Sequence, residues 1–516
     1  MSSAPEPAGS PEVVLVYPPW TVLQERGFLM NCLPPLGILS IAAYLRSKGI
    51  EVAVIDAHAE KLGPGELRRR LRLLSPRYVG ITVLSPMETA ALAIARMVKE
   101  ELPEATVVTG GVHAESFPAR MLASPHVDLV VRGDGERPMA EIASGRTWED
   151  IPSVSFRVDG GIHHTAPQEL ERNLDRYPMP AYDLVDLNRY APSATSYKNL
   201  PALNVMMTRG CPGKCSFCNS ARTPMRSHSP ERVMETIRFL KRHHGIRQVQ
   251  FFDDTFTANR KKVLELCRLL EESGLGITFS CYARGDTFNE EMASALARAG
   301  CHQVMLGVET GSERIMRSIG KVISKQRYAE IVRLAHANGM EVRAGFIAGS
   351  LGETRETMDE SLRFALDLDL DFFQLSISTP YPGTALFRQA LAEGRIEHFN
   401  LHRYGQGEAI VRLDGASKEE IAAFEREAWR RFYMRPTVLA RQLRRVTNRH
   451  HLADLYHAFR LLILNRVVEQ DPDLAAWEKE MEQELAMVPT GPESFLEATD
   501  QRGMAVAPLT HEARLL

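Results

Sequence analysis

The stretch LNVMMTRGCPGKCSFC, Leu203–Cys218, runs from a strand-like apolar segment straight into three cysteines spaced C-x3-C-x2-C. Its first half, Leu203–Thr208, reads as a buried strand, and the residues after it repeat the theme. Strand patterns at Val249–Phe252, Thr278–Tyr282, Gln303–Val308, Glu341–Ile347 and Phe372–Ser378 alternate with helical patterns at Glu231–His243, Lys261–Ser273, Glu290–Ala299, Ser312–Ile319, Lys325–Asn338 and Arg355–Leu368. Short apolar runs between amphipathic helices imply parallel βα units. Six of them suit a partial (β/α)6 barrel of the TIM type, whose chemistry collects at the carboxyl ends of the strands. The cysteine loop sits at such an end. Three thiolates on one short loop can hold three irons of a cubane and leave the fourth iron open. The alternative is a zinc site, which needs a fourth protein ligand such as His228.

Upstream lies another alternating series: Val13–Tyr17, Pro34–Arg46, Val52–Asp56, Glu66–Leu74, Tyr78–Leu84, Met87–Glu101, Thr106–Thr109 and Val127–Arg132. It reads as an α/β, doubly wound, Rossmann-like (flavodoxin-like) sheet, with ligand loops at Tyr17–Trp20, Asp56–His58, Leu84–Pro86, Gly110–His113 and Gly133–Glu136. The G-x-G-x-x-G dinucleotide fingerprint is absent. Beyond Arg146 the pattern loosens into a small hairpin, Val154–Val158 with Ile162–Thr165 around Asp159-Gly160-Gly161, and a proline-rich linker at Tyr177–Ala181. After Ala385 the strands stop; Lys418–Phe432 and Val438–Val468 look helical, and the tail beyond Pro489 frayed. The expected divisions are a disordered start (1–11), a Rossmann-like domain (12–145), a linker with hairpin (146–196), a partial barrel (197–385) and a mainly helical, substrate-side C-terminal region (386–516).

The chain has 516 residues, 44% apolar and 25% charged, with net charge −3. That is the composition of a soluble globular protein of several domains, and the lack of a basic excess argues against a nucleic-acid partner. No apolar run reaches the roughly 18 residues of a transmembrane helix, and no signal peptide is visible. Of seven cysteines, three crowd together, which favours metal chemistry in a reducing, cytoplasmic setting. Cys32, Cys267, Cys281 and Cys301 lie among apolar neighbours as core residues.

With this cysteine loop at the end of the first barrel strand, the chain resembles the radical S-adenosylmethionine (SAM) superfamily. The resemblance implies a [4Fe–4S] cluster on Cys211, Cys215 and Cys218, with SAM on the open iron and Phe217 near its adenine. It further suggests Asp253 or Asp254 for the SAM amine, Arg284 for the carboxylate and Glu309 for the ribose. Gly345, Ile347 and Gly349 match an adenine segment whose usual acid is displaced to Glu353. The front domain resembles the cobalamin-binding domain of the same enzymes, through Pro34-Pro35-Leu36-Gly37, Thr82-Val83-Leu84 and Gly110-Gly111. Trp20, Pro35, Leu36, Gly37, Thr82, Leu84, Gly110, Gly111 and His113 are its candidate cobalamin contacts. Asp56-Ala57-His58 is similar to a cobalt-ligating motif, but Lys61 replaces its glycine and it follows the second strand rather than the first. The implied corrinoid is therefore base-off, without a histidine below cobalt. Methylthiotransferase relatives carry three cysteines in front, where this chain has only Cys32.

The activity implied is methylation of an unactivated carbon, or phosphorus, through a 5′-deoxyadenosyl radical and methylcobalamin. Cyclisation, rearrangement or oxidation without net methyl transfer is the alternative within the family, and a non-catalytic metal-binding interaction module the alternative outside it. A small-molecule, lipid or carrier-bound substrate and a flavodoxin or ferredoxin electron donor are the implied partners. The basic and aromatic run Trp429–Pro436, followed by Arg441, Arg444, Arg445 and Arg449, suits either a substrate contact or a solvated helix face.

Overall fold

The computed structural model describes residues 10–20, 31–446, 449–464, 472–487 and 491–495. Most of the expected disordered start, part of the helical reading Val438–Val468 and most of the tail beyond Pro489 lie outside the described residues.

The front domain is built on β1 (Val13–Tyr17), β2 (Val52–Asp56), β3 (Tyr78–Thr82), β4 (Thr106–Gly110), β5 (Leu129–Val131), β6 (Val154–Val158) and β7 (Gly161–His164), in the order β2-β1-β3-β4-β5-β6-β7. The first five are parallel. Helices cover both faces, so strands such as Val13–Val16 are continuously apolar and buried. On one face pack α1 (Leu36–Ser47) and α6 (Glu136–Ala143), through Ile38, Leu45, Met139 and Ile142. On the other pack α2 (Pro64–Leu74) and α3 (Glu88–Glu101), through Leu67, Leu71, Ile94 and Met97. Two short helices, α4 (Val112–Ser116) and α5 (Pro118–Leu122), lead to β5. Strand order reverses between β1 and β3, which opens a crevice at the carboxyl edge of the sheet. The hairpin expected as part of a linker instead continues this sheet, β6 pairing antiparallel with β5 and β7 with β6.

The second sheet comprises β8 (Ala202–Val205), β11 (Gln248–Phe251), β12 (Thr278–Ala283), β13 (Cys301–Glu309), β14 (Glu341–Ala348) and β15 (Phe372–Ile377), all parallel, in the order β15-β14-β13-β12-β11-β8. Its outer layer is α7 (Pro230–His244), α8 (Arg260–Ser273), α9 (Glu290–Arg298), α10 (Glu313–Ser318), α11 (Lys325–Ala337), α12 (Arg355–Asp367) and α13 (Ala385–Ala392). The boundaries are local. Ser229 caps α7 by accepting from Arg232 N (3.1 Å), Pro230 fills its first turn, and Gly245 ends it in the left-handed region. The expected strand Leu203–Thr208 is split. After Val205 the backbone turns, Met207 N and Thr208 N donate to the Asp253 carboxylate, and β9 (Thr208–Arg209) pairs instead with β10 (Arg226–Ser227).

The C-terminal region is helical: α14 (Lys418–Tyr433), α15 (Pro436–Arg445), α16 (Arg449–Leu464) and α17 (Pro472–Met487). Helix α14 covers β15, with Phe432 stacked on Phe373 at 5.2 Å. Helix α17 returns to the front domain against α2 and α3, where the Trp477 indole donates to Leu62 O at 2.7 Å and Arg96 pairs with Glu480 and Glu484. It therefore braces the back of the front domain rather than the barrel mouth. Among the described residues no helix is long and apolar enough to cross a membrane.

Candidate active site

Residues 210–225 leave the β9–β10 ribbon as one loop carrying the three cysteines. Its two ends are tied by Cys211 N to Thr223 Oγ1 (2.9 Å), Thr223 N to Cys211 O (3.1 Å) and Arg222 N to Gly213 O (2.8 Å). From outside, Ser216 N donates to Ile319 O (2.9 Å), and Leu386 N donates to Ser216 O (2.8 Å). Gly320, at φ +72°, lets the next turn press on the loop: a Cβ there would meet Lys214 O at 2.5 Å. All three thiols are free and half-buried. Burial pushes Cys218 up to about 11 and also raises Cys215, against the pull of nearby Lys321. Cys215 and Cys218 of the empty loop are therefore thiols, and metal binding must release their protons.

The donor set fits a cubane better than zinc. Among the described residues no three His, Cys, Asp or Glu donors converge on a single metal ion. His228 has its Nδ1 engaged by Asp175 Oδ1 at 3.0 Å. A cluster in which each thiolate takes its own iron remains the group this loop can hold.

The candidate SAM residues divide by location. Asp253 is 1% exposed and grips the neck of the loop, accepting from Met207 N (3.1 Å), Thr208 N (2.5 Å) and Thr208 Oγ1 (2.6 Å). Burial still pushes it up to about 7. Of the aspartate pair, Asp254 is the one that lines a cleft. Arg284 forks onto Asp286 at 2.9 and 2.7 Å, with its other guanidinium nitrogen close to Gly213. Glu309, at φ +69°, pairs with Lys321 at 2.7 Å. Burial disfavours the Lys321 charge, but Glu309 holds the ammonium above its ordinary value. Gly345 and Ile347 alternate along β14 with the core residues Ala344, Phe346 and Ala348, and so face the other side of the sheet. Phe217 lines a cavity of about 490 Å³ with Ser350–Thr354, just past Gly349. Glu353 lies in that wall, accepting from Ser350 N at 2.8 Å with its other oxygen buried and unpartnered; burial pushes it up to about 7.

A larger cleft of about 580 Å³ lies between the two sheets. The front domain contributes Leu36, Gly37, Thr82, Leu84, Gly110 and Gly111. Gly111, at φ +94°, shows why backbone is needed there: a Cβ would sit 3.0 Å from Val83 O and 3.1 Å from Thr82 Oγ1. That glycine lets the two loops close on each other, whereas Gly37 has nothing within 4 Å of an added Cβ, so open main chain borders the cleft there and this cradle fits a corrinoid. The opposite wall is Met206, Thr208, Arg209, Gly210, Phe252 and Asp254, the residues flanking the cysteine loop and ending β11.

Three candidate corrinoid residues stand outside this wall. Pro35 caps α1. Trp20 donates its backbone N–H to His58 Nδ1 at 3.3 Å, which commits that nitrogen as an acceptor. His113 is fully buried behind the cleft, with Nε2 on Glu88 Oε1 at 2.9 Å and Nδ1 on Ser85 Oγ at 3.3 Å. Burial opposes ionisation of Glu88, but the Arg120 charge and the contacts with His113 bring it down to about 2. His113 thus serves the packing of α3 on α4 and α5. Sequence reasoning missed Arg209, Thr255 (Oγ1 at 3.4 Å from Cys211 Sγ) and Lys321. The first adjoins the cysteine motif, a usable signal; the others come from distant loops.

Fold and site define a class: a Rossmann-like cofactor domain set against a cysteine-loop partial barrel. Residues 205–365 match the family model described as Radical SAM superfamily, and residues 29–143 that described as B12 binding domain. An uncharacterised methyltransferase of Pyrococcus horikoshii is 34% identical over 440 residues, 84% of this chain and 94% of that protein. An anaerobic magnesium-protoporphyrin IX monomethyl ester cyclase of Rubrivivax gelatinosus is 27% identical over 420 residues, 79% of this chain and 75% of the cyclase. Among solved structures, the radical SAM methyltransferase TsrM from Kitasatospora setae, with cobalamin and a [4Fe–4S] cluster bound, superposes with TM-score 0.63 at 18% identity, covering 92% of this chain and 98% of TsrM. The chain belongs to the cobalamin-binding radical SAM enzyme family.

Proposed function

We propose that this enzyme is a cobalamin-dependent methyltransferase acting on an unactivated carbon, or phosphorus, of a small-molecule or lipid substrate. The observation that carries the reading is the shared cleft. Its floor is the glycine-lined carboxyl edge of the front sheet, and its roof is formed by residues either side of the cysteine loop. A group seated on the floor faces the barrel mouth directly.

Cys211, Cys215 and Cys218 would hold the cluster, with Phe217, Asp254, Arg284, Glu309, Gly345, Ile347 and Gly349 around SAM. Asp253, spent on the neck of the loop, positions the cysteines rather than touching SAM. Leu36, Gly37, Thr82, Leu84, Gly110 and Gly111 would carry the corrinoid, base-off and without a histidine ligand. When bound, these groups supply an adenosyl radical and a transferable methyl group. The protein supplies position and exclusion of water. Electrons come from a flavodoxin or ferredoxin donor, in a cytoplasmic setting that keeps the thiols reduced.

The test is anaerobic reconstitution with iron, sulfide, SAM, hydroxocobalamin and a reductant, followed by product counting with candidate substrates. Methyl transfer yields S-adenosylhomocysteine together with 5′-deoxyadenosine. Similarity to a cyclase supports a second reading, ring formation without net methyl transfer. It predicts 5′-deoxyadenosine alone. Absence of acid-labile sulfide after reconstitution would overturn both.

A further inference from the structure

The loop Gly133-Asp134-Gly135-Glu136 has no part in the function so far, yet it ion-pairs with the barrel side of the cleft. Glu136 opens α6 and is 2% exposed. Its Oε1 receives Arg209 Nη2 at 2.7 Å, and Arg209 Nη1 lies 3.6 Å from Asp134 Oδ1. Arg226 forks onto Asp134 through Nη1 and, at 3.2 Å, through Nη2. Arg209 and Arg226 are direct partners on the β9–β10 ribbon, the neck from which the cysteine loop springs. Two guanidinium groups facing each other there would repel. The front-domain carboxylates remove that repulsion.

Every group facing this contact fits that reading. Arg209 also lies over the Tyr177 ring at 5.6 Å, Gln168 Nε2 donates to Asp134 O at 2.6 Å, and Arg226 donates to Glu171 O at 3.4 Å. Burial works against the Asp134 charge, but Arg226 and Arg209 hold the pKa of its carboxyl below the usual carboxylate range. The contact is thus built of ion pairs, each carboxylate facing a guanidinium. On its other side the same neck is held by Asp253. The barrel thus fixes one side of the neck and the front domain the other. Asp134, Gly135 and Glu136 line the cleft together with Arg209 and Gly210, so the clamp forms part of the cleft wall.

We propose that Asp134 and Glu136, ion-paired with Arg209 and Arg226, form a positioning clamp through which occupancy of the corrinoid cleft and loading of the cysteine loop favour one another. This rests on the proposed assignment of the two cofactor sites. Coupling of this kind is reciprocal: the factor by which one ligand tightens the other is the same in both directions.

The test measures hydroxocobalamin affinity on cluster-free and on cluster-loaded protein, by titration under anaerobic conditions, for the wild type, Glu136→Gln, Arg209→Gln and the double variant. In the wild type the loaded form binds at least about fivefold tighter. In either single variant that ratio falls to within twofold of one, and the double variant adds nothing further. Arg209→Lys, which keeps the charge but not the fork, restores part of the ratio. A residue that merely stabilises the fold shifts both affinities together and leaves the ratio alone, which would overturn the proposal, as would a wild-type ratio of one. If a glutamine variant no longer binds hydroxocobalamin in either form, Arg209→Lys decides: an unchanged ratio sinks the clamp and a reduced one supports it. Wild-type protein that binds no hydroxocobalamin at all would instead overturn the corrinoid assignment itself.

Discussion

Gly320→Ala tests whether the cysteine loop is held as tightly as its contacts imply. Two costs arise at this position, the second of them specific to it. The residue sits at φ +72°, a conformation that costs a non-glycine residue about 1–2 kcal/mol. Its new Cβ would also lie 2.5 Å from Lys214 O, between Cys211 and Cys215, where ordinary contact begins near 3.4 Å. The obstacle is backbone, so the Lys214 peptide must retreat by roughly 0.9 Å, with overpacking strain of about 1–3 kcal/mol. That movement pulls on the hydrogen bond from Ser216 N to Ile319 O, whose loss is worth about 1 kcal/mol. Gly274→Ala is the control: Gly274 caps α8 at φ +61° with nothing within 4 Å of a new Cβ. It pays only the backbone cost. The two variants should therefore differ by about 2–4 kcal/mol in favour of the cluster-ready loop, roughly 30- to 700-fold at 1.4 kcal/mol per decade.

The assay is iron and acid-labile sulfide per chain after anaerobic reconstitution, with hydroxocobalamin titration as the internal check. Gly320→Ala should lose most of its cluster while binding the corrinoid, though more weakly to the extent that loading and binding are coupled. Gly274→Ala should keep both. A fully loaded Gly320→Ala protein would refute the reasoning, because the loop would then not need its observed path.

Further outcomes follow from other contacts. Cys215→Ala should abolish 5′-deoxyadenosine formation while hydroxocobalamin still binds; loss of both would mean that the two sites are not separable. Glu353 is raised from 4.5 to about 7 by burial, so the folded state holds a proton that the unfolded state gives up between about pH 4.5 and 7. Stability of the cluster-free protein should fall across that window, by roughly 3 kcal/mol at 1.36 kcal/mol per unit, and Glu353→Gln should flatten the fall in urea unfolding at pH 5 and pH 8. Trp477→Ala removes a 2% exposed indole and its bond to Leu62 O, a loss of about 3–5 kcal/mol from the docking of α17. Limited proteolysis should then cut near α17 first. His113→Gln should lower the thermal midpoint but leave hydroxocobalamin affinity within about threefold, since His113 faces Glu88 rather than the cleft.

The repeating layers were legible because their signals are local. Val13–Tyr17 and Phe372–Ser378 read as strands from their own apolar runs, and both are strands, the second ending at Ile377. The cysteine loop was legible from spacing alone, since three thiols within one loop need no distant partner to be noticed. What failed was whatever depended on contacts far along the chain. Leu203–Thr208 carries an unbroken strand pattern, yet it ends at Val205 because the Asp253 carboxylate captures the next amides. His113 sits in a glycine-rich loop where a ligand contact is a reasonable reading, but Glu88 and Ser85 turn it inward. The second hairpin strand has little apolar pattern of its own and joins the front sheet through its partner.

The way the two halves are joined bears on why charge lies beside the cleft. Two domains can be held by apolar contact alone, and replacing a buried ion pair with well-packed hydrophobic residues is often neutral or stabilising. This protein uses both kinds of junction. Phe117 of the front domain packs against Phe387 and Phe495, at centroid distances of 5.9 and 5.1 Å, in a cluster with Leu401 and Tyr404. None of these residues lines the cleft. Beside the cleft the junction includes Arg209 with Glu136 and Arg226 with Asp134. Apolar packing tolerates small slides, whereas a forked ion pair fixes distance and angle together. Apolar packing thus supplies cohesion at both ends of the interface, since Leu36 and Leu39 also pack on Val205 and Val233 beside the cleft, and the ion pairs add register where the cysteine loop must meet whatever lies on the glycine floor.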